Sequence, residues 1–338
     1  MTGGAGFIGS NLLLYMVPRY PGVQFVNLDN LSYAGNLENV RSLEIAKNYR
    51  FVRGDVADRD LVLRLFSHHR FTTVIHLAAE SHVDRSIMAP LTFLHVNTVG
   101  TATLLEAARH SWEDRADHPG RYRFFHVSTD EVFGSLGEDG VFSENTPYDP
   151  RSPYSASKAA ADHFVRAYAH TYGLPICISN CSNNYGPFQY PEKLIPVTIQ
   201  HAINKHPVPV YGKGANIRDW LHVTDHCRAI DTILHHGAPA DTYLVGGNNE
   251  RRNLDLVGTV LDLVDEQLGR KPATGRDLIT FVTDRPGHDY RYAIDATHLR
   301  GTLGWEPTVS LEEGLRDTVA WYLSHRDWLS RVASRRHP

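Results

Sequence analysis

Cysteine is scarce in this chain: Cys177, Cys181 and Cys227 are the only three in 338 residues. Three thiols cannot build a disulfide framework, and the C-x-x-x-C spacing of the first two has no second pair to complete a zinc site. Reduced, packed thiols and a cytoplasmic location are therefore expected, with no metal. Long apolar runs are also lacking. The stretch "FIGSNLLLYMV" has no basic leader and is interrupted by Gly9, Ser10 and Asn11, so it does not read as a signal-peptide core. Nothing else approaches the ~18 apolar residues of a membrane span. Charge of one sign is missing too: a formal net charge of -4 gives no broad basic field for nucleic acid. The 20 histidines would make the surface more positive in mild acid, but small anionic ligands need local sites. No internal repeat or low-complexity tract is present, and only the tail "SRRHP" reads as frayed.

What is present, 42% hydrophobic and 21% charged residues, suits a globular chain of about two domains with ample core. Through the first half, "VQFVNLDN", "RFVRGD", "TTVIHLAA", "RFFHVSTD" and "PICISNCSN" read as strands. Between them "DRDLVLRLFSHH", "NTVGTATLLEAARHSW" and "SPYSASKAAADHFVRAYAHTY" read as helices. That alternation predicts an α/β fold, a doubly wound parallel sheet of Rossmann type. After about Asn184 the texture changes to shorter elements richer in Pro and Gly, such as "YPEKLIP", "VPVYGKG" and "RDWLHVTDHC". A smaller mixed α/β portion is expected there, with surface helices near 255–268 and 311–325; Leu254, Val257, Leu261 and Val264 carry the helical apolar spacing of the first. The expected division is residues 1–185, with returning segments near 222–248, and residues 186–338 as the substrate-binding part.

The chain opens "MTGGAGFIGS". Gly3, Gly6 and Gly9 are three apart, which allows a tight turn, close backbone approach to a pyrophosphate and close helix-sheet packing. The following helix would aim its first N–H groups at that pyrophosphate. Asp29 ends the next strand about twenty residues on, where a carboxylate accepts hydrogen bonds from ribose hydroxyls and repels a 2′-phosphate, favouring NAD over NADP. "GDV", with Asp55 and Val56, closes the next strand where an adenine would lie. An Asp in a turn is also common for its own sake.

Tyr154 and Lys158 stand one helical turn apart in "YSASK". A neighbouring ammonium lowers a tyrosine pKa from ~10 toward the working range, so Tyr154 would take a proton from a sugar hydroxyl. Asp130 and Glu131 in "STDEVFG" fall at the carboxyl end of a strand, where α/β sheets place ligands. Adjacent carboxylates point to opposite faces of a regular strand, so a turn is expected to begin here and bring both inward.

The glycine turn with Y-x-x-x-K resembles the extended short-chain dehydrogenase/reductase superfamily of nucleotide-sugar enzymes. Within it, "HLAAESHVDRSI", "STDEVFG", "NNYGPFQYPEKLIP", "RDWLHVTDH" and "DRPGHDYRYAID" are similar to the dTDP-glucose 4,6-dehydratases, nearly end to end. The resemblance implies conversion of dTDP-glucose to dTDP-4-keto-6-deoxyglucose and water. Tyr154, poised by Lys158, would take the 4-hydroxyl proton while a hydride passes from C4 to NAD, and Thr129 would hydrogen-bond the developing ketone. Glu131 would then remove the C5 proton, Asp130 would protonate the departing 6-hydroxyl, and the hydride would return to C6. Epimerases of the superfamily usually carry small or hydroxyl residues in place of the acid pair, because they move only a hydride.

The resemblance also assigns Phe7, Ile8, Asn30, Leu77, Ala78, Ala79 and Ser81 to the cofactor. Ser81 also falls to the substrate, as do Asn183, Lys193, Leu194, Pro209, Tyr211, Arg218, Asn253, Arg285 and His288. Arg218 and Arg285 would grip the diphosphate, a task suited to planar, bidentate donors, and Tyr211 would lie against the base. Ser81, Asp84 and Arg85 fall near cofactor and sugar. Phe133 stands where the family often has Tyr. A homodimer is implied, through a four-helix bundle of helices 94–112 and 154–172 to which Ala102, Leu105, Ala159 and Ala160 are candidates; burial within one chain explains the same residues. Another nucleotide-sugar dehydratase or 4-epimerase, and a non-catalytic nucleotide-binding protein, stay open as alternatives.

One feature departs from the resemblance. Relatives begin with a few apolar residues ending in Val-Thr-Gly-Gly, a central strand, whereas here only Met1 and Thr2 precede the turn. Omitting that strand leaves two inner edges unpaired and removes side chains worth ~1.5–3 kcal/mol each, against a typical net stability of ~5–15 kcal/mol. The expectation is that the natural chain starts several codons upstream, a Val codon having been read as Met1. The alternative is a complete chain in which another segment fills the gap.

Overall fold

The computed structural model describes residues 1–114, 116–118 and 120–334; residues 335–338, in the tail expected to fray, lie outside them. The parallel strands of the first half are β1 (Phe25–Asp29), β2 (Tyr49–Arg53), β3 (Thr73–His76), β4 (Arg123–Thr129) and β5 (Ile176–Cys181). Every residue of β1 and β5 is buried, as befits strands covered on both faces. Local chemistry sets the helix ends. The Asp58 side chain accepts from Leu61 N and starts helix Arg59–His69, which stops at left-handed Arg70. Helix Pro153–Tyr172 begins in a capping box of Ser152 and Ser155, has Pro153 in its first turn, and ends at left-handed Gly173.

The second half contributes β6 (Asn183–Tyr185), β7 (Val208–Tyr211), β8 (Ile217–His222), β9 (Asp241–Val245), β10 (Glu250–Arg252) and β11 (Ile279–Val282). β9 returns to the first sheet and pairs with β5, giving the order β3-β4-β5-β9. β10, β8 and β6 make a three-stranded sheet, and β11 pairs with β7. Helices Leu194–Asn204, Asn253–Gln267 and Leu311–Ser324 pack over these small sheets through Ile199, Val257, Leu261, Leu315 and Val319. The architecture is the Rossmann-like α/β fold with a smaller mixed portion.

β1 and β2 form a separate parallel pair. Between β1 and β3, among the described residues, run Met1 and Thr2, with Thr2 bridged to Leu28 on one side and His76 on the other. Thr2 N donates to Ile75 O at 3.0 Å, Leu28 N donates to Met1 O at 2.9 Å, and the Met1 amine donates to Val26 O at 2.8 Å. Burial holds that amine down to about 5. A small apolar slot edged by Val26, Val62, Phe66, Val74 and Leu104 continues from these two residues.

Two helical features differ from the sequence reading. The segment "RDWLHVTDHC" spans a junction: β8 ends at His222, whose side chain accepts from Thr224 N, and an amphipathic helix Val223–His236 follows. Its Cys227, Ile230 and Ile233 join Leu12 and Met16 of helix Phe7–Arg19 in one core. The helix expected near 97–112 is preceded by a π-helical stretch, Leu94–Val99, running into Gly100–Ser111. That wider turn sets Asn97 to accept from Glu80 N at 2.8 Å and to donate to Glu80 O at 3.0 Å and Ser157 Oγ at 2.9 Å.

Candidate active site

A single long cavity follows the carboxyl ends of β1, β4 and β5, the place where open α/β sheets receive ligands. Gly3, Gly6, Phe7, Ile8 and Gly9 line one end with Asp29, Asn30 and Val56; Leu77, Ala78, Ala79 and Ser81 form its wall. Thr129, Asp130, Glu131, Tyr154 and Lys158 line the other end, with Asn183 and Lys193 beside them.

The glycine turn has the shape its spacing predicts. Gly3 has φ +71°, and a Cβ there would lie 2.6 Å from Ala78 N, so only glycine fits. A Cβ on Gly6 would meet only Gly3 O, at 3.4 Å, which leaves the space above the turn open for a phosphate. Asp29 Oδ2 accepts from Ala5 N at 2.9 Å and Oδ1 from Leu31 N at 2.8 Å; each oxygen keeps a lone pair for a ribose hydroxyl. Asp55 behaves differently: its carboxylate accepts from Ala57 N at 2.8 Å, closing its own turn, and it is absent from the cavity lining.

The turn is braced by residues that sequence reasoning missed. Ala5 O accepts from Asn36 N at 2.9 Å and from Asn39 Nδ2 at 3.0 Å. Asn39 Oδ1 in turn accepts from Trp328 Nε1 at 2.9 Å. An indole N–H only donates, so it fixes which way the Asn39 amide faces. No local pattern reveals this link, since Trp328 is 289 residues from Asn39. Tyr33, Glu80 and Glu192 also line the cavity, and Arg85 covers the Tyr33 ring at 3.8 Å. Of these only the loop after Asp29 had a sequence signal, its place at a strand's carboxyl end.

At the far end β4 stops at Thr129 and a single 3-10 turn, Asp130–Phe133, begins, with the Thr129 side chain accepting from Glu131 N. This is the turn expected from the adjacent carboxylates. It turns both toward the cavity, where their environments differ. Burial pushes the Asp130 carboxyl well above its ordinary value, and the charges of Glu131 and Asp219 push it further, against the pull of Arg218. Burial also raises Glu131, but Arg285, Lys193 and Arg218 all pull it back. Burial and its acidic neighbours favour the protonated form of Asp130 more strongly than that of Glu131, which three cations draw back toward the carboxylate.

Tyr154 is buried, and its phenol stands well above the ordinary value, first through burial, then through Glu131 and Cys181, with a Thr129 hydrogen bond pulling down. The lowering expected from Lys158 is not found. Lys158 Nζ donates to Val127 O at 2.8 Å and lies 3.5 Å from His126 Nε2; burial lowers its own pKa.

The expected substrate residues divide into groups. Lys193 Nζ donates to Ser81 O at 2.8 Å, and Asn183 Oδ1 is buried without a partner. Leu194, Pro209, Tyr211, Arg218, Asn253, Arg285 and His288 lie outside the cavity lining. Tyr211 OH donates to Asp84 Oδ2 at 2.9 Å, Arg285 is 3.6 Å from Asp84 Oδ1, and His288 meets the Tyr211 ring edge-on at 6.0 Å. These four form one cluster. Leu194 opens helix Leu194–Asn204 and Pro209 is exposed on β7. Asn253 starts helix Asn253–Gln267, its Oδ1 buried and unpartnered. Arg218 is less free than a diphosphate grip suggests. Its guanidinium donates to Ile217 O, Tyr290 O and Asp289 O at 2.7, 3.3 and 2.9 Å and covers the Tyr292 ring at 4.1 Å.

Known proteins resemble this chain over nearly its whole length. The family model described as GDP-mannose 4,6 dehydratase matches residues 1–318. A dTDP-glucose 4,6-dehydratase of Xanthomonas campestris pv. campestris is 54% identical, covering 98% of this chain and 95% of its own. Among solved structures, the dTDP-glucose 4,6-dehydratase of Bacillus anthracis in complex with NAD is 43% identical with a TM-score of 0.85, over 98% of both chains. DesIV of Streptomyces venezuelae, a dTDP-glucose 4,6-dehydratase with NAD bound, is 41% identical with a TM-score of 0.89, again over 98% of both. The chain belongs to the dTDP-glucose 4,6-dehydratase family.

Proposed function

We propose that this chain dehydrates dTDP-glucose to dTDP-4-keto-6-deoxyglucose, with NAD bound along the cavity. The open space over Gly6 and the free lone pairs of Asp29 suit a dinucleotide with unmodified ribose. The chemistry NAD supplies when bound is reversible hydride acceptance, at C4 and then back to C6, with no net redox change. Tyr154 takes the 4-hydroxyl proton only after giving up its own, which burial holds on the phenol above the ordinary value, and Thr129 hydrogen-bonds the developing carbonyl. Once C4 is a ketone the C5 proton is acidic; Glu131 removes it, and Asp130 protonates the departing 6-hydroxyl.

The observation that carries this reading is the pair of carboxyls that the turn after Thr129 sets in the cavity with Tyr154, split in environment: burial raises both, and Arg285, Lys193 and Arg218 draw Glu131 back. A 4-epimerase needs neither group, and a binding protein has no use for the split. Incubation of the purified chain with dTDP-, UDP- and GDP-glucose tests it. A 4-keto-6-deoxy product from dTDP-glucose is expected; its absence sinks the reading, and a stronger reaction with another base moves the substrate assignment.

The reading extends to a homodimer. Leu94 and Val99 are 47% and 44% exposed on the first expected bundle helix, and Phe164 is 45% exposed on the second. Leu105 and Ala159 are excluded from such a contact, because both are buried inside the chain. A monomeric mass in light scattering at micromolar concentration contradicts the dimer. The three cysteines are buried and unpaired, which suits a reducing compartment, the cytoplasm; disulfide-linked protein recovered from native cells contradicts that location. Among the described residues, no helix is long and apolar enough to cross a membrane.

A further inference from the structure

Behind the reacting groups lies a carboxylate that the mechanism above does not use. Asp162 sits one turn beyond Lys158 on helix Pro153–Tyr172 and is fully buried. Its Oδ2 accepts from Ser128 Oγ at 2.8 Å, Tyr148 OH at 2.8 Å and Asn180 Nδ2 at 3.3 Å. Its Oδ1 is 3.1 Å from Nε2 of His126, the same nitrogen that lies 3.5 Å from Lys158 Nζ. Asn180 Nδ2 also donates to Thr129 O at 3.0 Å. One side chain is thereby joined to both halves of the site. Its charge acts on Lys158 across the edge of the His126 ring; through Ser128 and Asn180 it holds the end of β4 from which Thr129, Asp130 and Glu131 emerge.

A buried carboxylate with so many donors is costly to maintain unless each is in place. Apolar packing between helix and sheet would serve stability as well. We propose that Asp162 is a positioning residue for the dehydration reaction, fixing the Lys158 ammonium and the Thr129–Glu131 turn in one frame; this rests on the function proposed above.

The electrostatics of the pocket agree. On its own helix Asp162 faces Lys158, with Arg166 one turn on, donating to Tyr148 OH at 2.9 Å. From β4 it faces His126, from β5 Cys181 lies near Lys158, and from β3 the His76 ring stands 5.3 Å from that of His126. Burial holds His126 down to about 4, so it is neutral near pH 7. Burial lowers Lys158, and Asp162 is the first of the groups that raise it back. Removing the carboxylate charge leaves the ammonium with less support, so it loses its proton at lower pH.

The test is Asp162→Asn in the NAD-bound enzyme. An amide keeps the shape, and its NH2 can face His126 Nε2 once the ring carries its proton on Nδ1. Expected are a fall in kcat of about thirtyfold with KM within about threefold, and an alkaline limb of the kcat profile moved down by about one pH unit. Tyr148→Phe, which removes one donor but keeps the charge, leaves that limb in place. A limb unmoved in Asp162→Asn, or a loss confined to thermal stability, overturns the inference. If Asp162→Asn does not fold, Asn180→Ala carries the test: a roughly tenfold loss of kcat at constant KM supports the link to Thr129, and unchanged kcat overturns it. Wild-type enzyme in the same assay separates the two claims. No dehydration by wild type removes the proposed function and this inference together; active wild type with an unaltered Asp162→Asn profile removes only the inference.

Discussion

The two ends of the cavity are built differently. On the side of the glycine turn, among the described residues, β1 and β2 meet the rest of the sheet through Met1 and Thr2, and the turn is steadied from outside the sheet by Asn36, Asn39 and Trp328. On the side of the acid pair, β4 and β5 pair over six residues, and Asp162 ties strand, helix and loop together behind them. Under the proposed function, holding a dinucleotide and carrying out proton transfers would fall to separable parts of the chain. Damage on the first side should empty the site; damage on the second should slow a filled one.

The sharpest way to break that division is at the acid pair. Asp130→Asn with Glu131→Gln is expected to lower dehydration by about ten-thousandfold or more while NAD and dTDP-glucose still bind, as read by product formation beside calorimetric titration. Loss of binding in step with activity would erase the distinction. Tyr154→Phe should reduce kcat by roughly 10²–10³-fold with little change in KM, measured by steady-state kinetics. On the other side, Gly6→Ala places a methyl in the open space above the turn; NAD retained after gel filtration should fall by about tenfold or more, with activity restored by added NAD. Trp328→Phe keeps the ring and removes the indole N–H. At about 1 kcal/mol for one hydrogen bond, NAD should dissociate roughly fivefold faster, by stopped-flow fluorescence, at unchanged kcat.

The smallest effect is on stability. His126 is held at about 4 and His226 at about 3 by burial, below the ~6.5 of an unfolded histidine. In both, the folded pKa is depressed, so the unfolded chain takes up protons first as pH falls. Stability is full above about 6.5 and declines toward the folded values. The Tm should fall by several degrees between pH 7 and pH 5, and a flat profile in scanning fluorimetry would contradict it.

Part of each cavity end was legible because it depends on short-range pattern. Apolar runs located β1 to β5, glycine spacing located the turn, and two neighbouring acids after a strand demanded a change of direction, which the 3-10 turn at Asp130 supplies. What stayed hidden depends on contacts far apart in sequence. The partner of Lys158 is a carbonyl on a neighbouring strand, Val127 O, so the pairing with Tyr154 suggested by helical spacing does not lower the phenol. Helix Val223–His236 was concealed by the strand that feeds straight into it. Trp328, Asn39 and Ala5 meet only because the last helix folds back on the first loop.

The claim on which the account turns is that Glu131 strips a proton from C5 of an oxidised sugar before the hydride comes back. Turnover of dTDP-glucose in D2O, followed by NMR of the product, reads this directly. One solvent deuterium at C5 is predicted; a product that keeps its original hydrogen at C5 would contradict it.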